Sequence, residues 1–137
     1  MKKEFELELN QLDILIRYLK DVVIEDCIVI LRGDLASGKT TLVKSYVKAL
    51  GLADLVTSPT FSLQAIYSNN IFHYDVYNKT LSEFISLGML EEFEKQGVHF
   101  VEWGDEKLEM ILNDYGYKVI LIEIEKKDNK RLYKINA

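Results

Sequence analysis

The chain has 137 residues, of which 48% are hydrophobic and 28% charged, and its formal net charge is −5. This composition fits one folded domain over residues 1–137 and excludes a disordered chain, and the acidic balance argues against a protein that binds nucleic acid on its own. We find no apolar stretch typical of a signal peptide or a membrane span, so we expect a cytoplasmic protein without membrane contact.

The first predicted elements are a half-buried strand and an amphipathic helix. In the strand, apolar residues alternate with glutamates, so one face is apolar. These apolar residues are Phe5, Leu7 and Leu9. The helix covers 11–20, and Asn10 precedes it as a candidate N-cap. Its apolar stripe consists of Leu12, Leu15, Ile16 and Leu19.

A continuous apolar run over 27–31 predicts a strand buried in a parallel sheet, and the apolar spacing over 39–50 predicts a helix. The one cysteine, Cys27, lies inside this strand, which indicates a reduced compartment and no disulfide partner. Further along we predict a strand at 62–67, a turn at 68–70, a strand at 71–77, a helical segment at 81–96 broken at Gly88, a strand at 98–101, a helix at 106–112 capped by Asp105, and a hairpin of strands 117–125 and 131–135. Strands interleaved with helices favour an α/β fold with a largely parallel sheet.

The most specific motif is a complete G-x-x-x-x-G-K-[ST] loop between the predicted strand 27–31 and the predicted helix 39–50. Its residues are Gly33, Asp34, Leu35, Ala36, Ser37, Gly38, Lys39 and Thr40, and Thr41 follows them. In such a loop the backbone N–H groups surround the phosphates of a nucleoside triphosphate, the lysine reaches the β and γ phosphates, and the hydroxyl binds Mg²⁺. The loop therefore predicts binding of a nucleotide together with Mg²⁺.

Two apolar segments end in acids that could complete this site. Asp75 follows one predicted strand and Glu102 follows another. Because the ligand crevice of such a sheet lies beyond the carboxyl ends of the strands, both carboxylates could face Thr40 and the γ phosphate. We predict that Asp75 contacts Mg²⁺ directly or through water, and that Glu102 acts as general base or positions water. With Thr40 and Asp75, Glu102 is also a candidate Mg²⁺ residue. The alternative for each is an ordinary solvated carboxylate at the end of a strand.

The segment around the one proline presents two hydroxyls from a stiff turn. Pro59 restricts its own backbone and that of Ser58. Thr60 could therefore close onto Mg²⁺ and the γ phosphate and open after hydrolysis, as in order–disorder switches. Taken alone, the segment also fits an ordinary turn.

Four motifs in order resemble the TsaE family of small bacterial P-loop ATPases, over about residues 5–124. They are G-D-L-A-S-G-K-T-T-L at 33–42, S-P-T-F at 58–61, H-Y-D-V-Y at 73–77 and V-E-W-G-D at 101–105. The resemblance implies a three-layer P-loop NTPase fold, with a central, mostly parallel sheet and helices on both faces. It also implies a weak ATPase that associates with TsaD and TsaB, meets tRNA only through that complex, and resets it between threonylcarbamoyl transfers to adenosine 37.

Carried over by position, the resemblance also implies residue roles. These are Lys39 and Thr40 for phosphate and Mg²⁺, Thr60 as the switch threonine, Asp75 beside Mg²⁺, Glu102 beside the γ phosphate, and Trp103 next to the nucleotide. The chain departs from the family pattern at Asn78, where arginine is usual, which puts in doubt any contact that this arginine makes elsewhere in the family.

Other functions of the same loop remain open. A small-molecule kinase would normally place arginines around the transferred group, yet none occurs between residues 50 and 130. A non-catalytic switch read through Thr60 is a further alternative, and no N-K-x-D motif supports a GTPase. We expect His73 to support the site by hydrogen bonding and His99 to be structural. Trp103 could pack on adenine, on a partner or in the core.

Overall fold

The computed structural model describes residues 1–23 and 26–137, and within them seven strands form one sheet in the order β1-β7-β6-β2-β5-β4-β3. The strands are β1 Lys2–Leu7, β2 Cys27–Arg32, β3 Gln64–Tyr67, β4 Ile71–Asp75, β5 Val98–Glu102, β6 Val119–Lys127 and β7 Lys130–Asn136. The four central strands β6, β2, β5 and β4 run parallel, whereas β3, β7 and β1 are antiparallel to their neighbours. The carboxyl ends of β2, β4 and β5 therefore share one edge of the sheet.

Helices cover both faces of this sheet, which confirms the predicted three-layer α/β fold. The helices are α1 Leu12–Val22, α2 Lys39–Ala49, α3 Leu81–Ser86 and α4 Glu106–Asp114. On one face, α1 and α2 pack against alternate strand residues such as Val29 and Leu31. On the other face, α3 and α4 pack against Ile28 and Ile30. Because β2 is covered on both faces, its residues form the continuous apolar run seen in the sequence.

Most predicted elements are present, and the differences have local causes. The stripe of α1 is buried as predicted, but Asn10 does not cap this helix, because a 3₁₀ turn Leu9–Gln11 precedes α1 and Glu8 N–H donates to Gln11 Oε1 at 2.9 Å. Leu9 therefore leaves the strand and is 73% exposed. The segment 81–96 is α3 followed by the 3₁₀ turn Met89–Glu94, because Gly88 between them has a φ of 75°.

Later elements agree more closely with the sequence. Asp105 caps α4 by accepting a hydrogen bond from Leu108 N–H at 2.9 Å. The terminal hairpin β6–β7 turns between Lys127 and Lys130. The strand predicted over 71–77 ends at Asp75, so Tyr77 lies beyond β4 and not on its face.

His99 is a buried structural residue, as expected, and it makes fold stability depend on pH. Its Nδ1 contacts Tyr74 OH at 2.7 Å and its Nε2 contacts Lys95 O at 2.8 Å. Burial lowers the pKa of His99 below its ordinary value of 6.5. Below about pH 6.5 the unfolded chain binds a proton that the folded chain resists, so the free energy of unfolding falls as pH falls, by at most about 1.4 kcal/mol per pH unit for this group.

We therefore expect urea denaturation to show a smaller loss of stability between pH 7 and pH 5 for His99→Gln than for the wild type. Both proteins have the same carboxylates, so the difference between their changes in unfolding free energy with pH reports on His99 alone. Equal slopes would contradict a lowered pKa for His99.

Candidate nucleotide site

The loop 33–40 connects β2 to α2 and is shaped by its two glycines. A Cβ atom at Gly33 would lie 2.4 Å from Ser37 Oγ and 2.8 Å from Ile124 O, so no side chain fits there. Gly38 has a φ of 111°, in the left-handed region that glycine tolerates best. The loop closes on itself through Ser37 N–H, which donates to Asp34 O at 3.0 Å. A neighbouring strand also holds it, since Arg131 Nε donates to Ser37 O at 3.0 Å.

Lys39 begins α2 and points back into the loop. Its side chain is buried, and Nζ donates to Gly33 O at 2.6 Å and to Asp34 O at 3.0 Å. Burial lowers the pKa of Lys39, and the nearby carboxylates of Glu102 and Asp75 oppose this shift. The first-turn N–H groups of α2 have no acceptor within the helix, so they and the ammonium group offer donors to an anion at the same place.

The two strand-end acids lie side by side, as the sequence predicts. Asp75 and Glu102 are register partners at the ends of the parallel strands β4 and β5, and they are 4% and 3% exposed. Thr40 Oγ1 donates to Glu102 Oε2 at 2.7 Å. The hydroxyl of Thr40 and the two carboxylates therefore lie close together next to Lys39. Along the chain, Asp75 is 35 residues and Glu102 is 62 residues from Thr40.

The proline segment closes over Asp75 in this form of the protein. Thr60 Oγ1 donates to Asp75 Oδ2 at 3.0 Å, and Ser58 Oγ donates to the same oxygen. The turn is closed behind them by Leu63 N–H, which donates to Pro59 O at 2.8 Å. The structure thus brings Thr60 to the predicted Mg²⁺ aspartate through a direct hydrogen bond.

Trp103 lines the same cleft and is half-buried, since it also packs against the edge of the core on the α3–α4 face. Its backbone has a φ of 69°, in the left-handed region, directly after the end of β5. The indole packs against Tyr77, with ring centroids 4.6 Å apart, and Lys39 Nζ lies 3.9 Å from an indole ring centroid. Trp103 is therefore placed to contact a ligand of the loop.

The cleft above the loop has a volume of about 790 Å³. The lining also includes residues that no motif marks. They are Leu9, Asn129, Arg131 and Tyr133. Leu9 belongs to the 3₁₀ turn before α1 and the other three to the hairpin β6–β7, so short-range patterns do not place them beside the loop.

The contacts of this site fit a polyphosphate with a divalent cation. A lysine ammonium and helix N–H groups suit phosphate oxygens, and a hydroxyl beside two carboxylates suits Mg²⁺. Among residues 1–23 and 26–137, no three His, Cys, Asp or Glu side chains converge as a complete metal site. Mg²⁺ usually shares its ligands between one or two protein side chains and the substrate phosphates, and Thr40 and Asp75 could supply the protein side of such a site.

Three further structural features bear on the predictions. His73 contacts Glu102 at 2.6 Å, so it supports the site by hydrogen bonding as expected. Of the arginines, Arg32 is bound to Gly104 O and Glu109, and Arg131 is bound to backbone carbonyls. In the part of the chain that the structure describes, no helix is both long and apolar enough to cross a membrane.

A parallel central sheet covered on both faces, with this loop between β2 and α2, defines the P-loop NTPase class of fold. Solved structures agree, since YdiB of Bacillus subtilis superposes with a TM-score of 0.66 at 25% identity, over 100% of this chain and 87% of that chain. The family model for threonylcarbamoyl adenosine biosynthesis protein TsaE matches residues 7–133. The chain belongs to the TsaE family.

Relatives with the name tRNA threonylcarbamoyladenosine biosynthesis protein TsaE support this assignment. The protein of Treponema pallidum is 40% identical over 84 residues, which are 59% of this chain and 62% of that protein. The one of Bacillus subtilis is 42% identical over 76 residues, 53% and 48% of the two chains. The one of Haemophilus influenzae is 33% identical over 107 residues, 75% and 65% of the two chains. The matched segments thus span between about half and two thirds of these relatives.

Proposed function

We propose that this protein is a slow Mg²⁺-dependent ATP hydrolase that resets a TsaD–TsaB complex during formation of N6-threonylcarbamoyladenosine at position 37 of tRNA. The observation that carries the proposal is the convergence of Lys39, Thr40, Asp75 and Glu102 at one end of a cleft in a chain of the TsaE family. The family relates the chain to this modification, and the side chains supply what hydrolysis of a triphosphate requires.

Each side chain then has a distinct role. Lys39 compensates the negative charge of the β and γ phosphates, which grows on the bridging oxygen as the bond breaks. Thr40 and Asp75 would hold the Mg²⁺, which supplies further charge compensation when bound. Glu102 orients a water molecule and accepts its proton. The hydroxyl oxygens of Thr40 and Thr60, which donate to Glu102 and Asp75, would also be available to the bound cation and nucleotide.

The net charge of the chain and its membership of the TsaE family together suggest its partners. With a net charge of −5, the chain is a poor ligand for tRNA, so we propose that it meets tRNA only through TsaD- and TsaB-type proteins in the cytoplasm. The transfer of the threonylcarbamoyl group takes place on those proteins. Closure and opening of the turn that carries Thr60 would report the state of the nucleotide to them.

The contacts of the arginines disfavour the kinase alternative. Arg32 is held by Glu109 outside the cleft, and the guanidinium of Arg131 is engaged by the carbonyls of Ser37 and Lys130. Phosphoryl transfer to a metabolite usually relies on mobile arginines that close over the transferred group. Hydrolysis with a water positioned by Glu102 needs none of them.

A reconstituted modification reaction tests this function. The protein is mixed with its TsaD- and TsaB-type proteins, unmodified tRNA and the activated threonylcarbamoyl donor, and both phosphate release and modified tRNA are measured. We expect the partners to stimulate ATP hydrolysis, and a nonhydrolysable ATP analogue to limit modification to about one tRNA per complex.

Two results of this experiment would contradict the proposal. If modification continued over many turnovers with the analogue, the protein would act as a non-catalytic switch instead. If no phosphate were released in the complete mixture, it would not be an ATP hydrolase.

A further inference from the structure

We infer that His73, held by Tyr67, is a positioning residue that fixes the carboxylate of Glu102 for ATP hydrolysis; this inference rests on the proposed function. The imidazole of His73 is fully buried, at 0% exposure, although both of its nitrogens are polar. Its Nε2 lies 2.6 Å from Glu102 Oε2, and its Nδ1 lies 2.8 Å from Tyr67 OH. The ring thus connects a tyrosine on the edge strand β3 to the strand-end acid of β5.

The partners of the ring determine where its hydrogen lies. The carboxylate of Glu102 can only accept, so Nε2 carries the hydrogen and donates to it. In a neutral imidazole Nδ1 then accepts from the hydroxyl of Tyr67. Burial raises the pKa of Tyr67 to about 12, so this hydroxyl keeps its proton at neutral pH. The hydroxyl also lies 3.5 Å from Thr57 O, but its one hydrogen has the shorter contact to His73.

The hydrogen bonds of Glu102 leave one oxygen for the reaction. Both Thr40 Oγ1 and His73 Nε2 donate to Oε2 of Glu102. Oε1 has neither of these donors, and the side chain lines the cleft. A general base must hold its reactive oxygen within a few tenths of an ångström of the productive position. Two donors on Oε2 orient the carboxylate in this way.

His73 is the donor to Glu102 that has no other assigned contact to the nucleotide or the cation. The hydroxyl oxygen of Thr40 is the group that we assign to Mg²⁺, so the position of this donor would depend on the cation. His73 belongs to β4 and has no such second role, so its position is set by the sheet and by Tyr67. The spacing H-x-D then has a physical reason, because alternate residues of β4 place His73 and Asp75 on one face beside Glu102.

The chain contains a matched control for this arrangement. His99 on β5 is also buried, at 1% exposure, and its Nδ1 also contacts a tyrosine hydroxyl, that of Tyr74. Its Nε2, however, contacts the backbone carbonyl of Lys95 and no carboxylate. Substitution of His99 therefore removes a tyrosine–histidine pair of the same kind without touching Glu102.

The test compares four variants in single-turnover ATP hydrolysis with the TsaD- and TsaB-type proteins, together with calorimetric ATP affinity and the midpoint of thermal unfolding. His73→Asn keeps an amide near the position of Nδ1 but loses the donor to Glu102, whereas His73→Gln places its amide near the position of Nε2. We expect His73→Asn to lower the hydrolysis rate about 10- to 100-fold with ATP affinity within about threefold of the wild type.

The remaining variants separate positioning from stability. We expect His73→Gln to recover part of the rate lost in His73→Asn, and Tyr67→Phe to lower the rate about 3- to 10-fold by releasing the ring. We expect His99→Asn to lower the unfolding midpoint but to leave the hydrolysis rate unchanged. Equal rates for the wild type and His73→Asn, or an equal loss of rate in His99→Asn, would overturn the positioning role.

A spectroscopic readout distinguishes failure of this inference from failure of the proposed function. Nitrogen NMR of the imidazole rings reports the tautomer without any catalysis. We expect His73 to carry its hydrogen on Nε2 and its signal to shift in Glu102→Gln. A hydrogen on Nδ1 would overturn the inference even in an active ATPase, whereas the expected tautomer in a protein that hydrolyses no ATP would refute the hydrolase alone.

Discussion

Replacement of Lys39 with alanine is expected to weaken ATP binding roughly 100-fold and to abolish repeated rounds of tRNA modification. The Nζ atom lies among the carbonyls of Gly33 and Asp34, at the position where the loop would hold the terminal phosphates. Hydrogen bonds to charged groups contribute about 1.5–3 kcal/mol each, and about 1.4 kcal/mol corresponds to a tenfold change in affinity. Loss of one or two such bonds in a largely buried site accounts for the expected factor.

Isothermal titration calorimetry with Mg²⁺-ATP measures this effect, and the reconstituted reaction measures the loss of turnover. Lys44→Ala is the matched control, because Lys44 lies on the same helix but is exposed to solvent. Thermal unfolding checks that the variant keeps its fold, since the ammonium group of Lys39 also bonds the loop. Unchanged ATP affinity or unchanged multiple-turnover modification in Lys39→Ala would contradict the assigned role.

Replacement of Glu102 with glutamine is expected to lower the rate of ATP hydrolysis about 10²- to 10⁴-fold while ATP binding is retained, which is the range for loss of a general base. The variant is nearly isosteric. The amide oxygen of glutamine can still accept from Thr40 and His73, so the packing at the ends of β4 and β5 survives. The group that faces the cleft becomes an amide, which cannot take a proton from water.

Retention of ATP binding in Glu102→Gln can be measured by tryptophan fluorescence. Trp103 is the one tryptophan of the chain, and its indole lies 3.9 Å from Lys39 Nζ, so its fluorescence should respond to nucleotide. Glu106→Gln is the control, since Glu106 is an exposed carboxylate four residues further on. If Glu102→Gln hydrolysed ATP at the wild-type rate, another group would have to position the water.

Much of the site was predictable because its residues belong to local motifs. The loop 33–40 between a strand and a helix can be predicted from consecutive residues, because its two glycines permit the backbone conformation that the loop needs. Asp75 and Glu102 could be assigned to one place because parallel strands end at one edge. The helix over 81–96 was less predictable, because a left-handed glycine in the middle of an apolar pattern can either interrupt a helix or end it.

The contacts among these parts depended on strand pairing, which short-range patterns do not encode. Tyr67 meets His73 because β3 and β4 pair antiparallel, with Ala65 opposite His73. Arg131 reaches the phosphate loop because β7, which carries it, pairs with β1 on one side and with β6 on the other. Neither residue belongs to a motif, and Arg131 acts on a residue 94 positions away along the chain.

The amino-acid order alone therefore sufficed to predict a nucleotide as ligand and to select the side chains expected to contact it, because a phosphate loop needs only consecutive residues with the right backbone freedom. The tertiary structure decided how those groups are held: which oxygen of Glu102 is engaged, that Thr60 and Ser58 cover Asp75, and that Trp103 lies against Lys39. These contacts join the ends of β4 and β5 to residues of α2 and of the proline segment, and only the packing of these elements around the sheet brings such residues together.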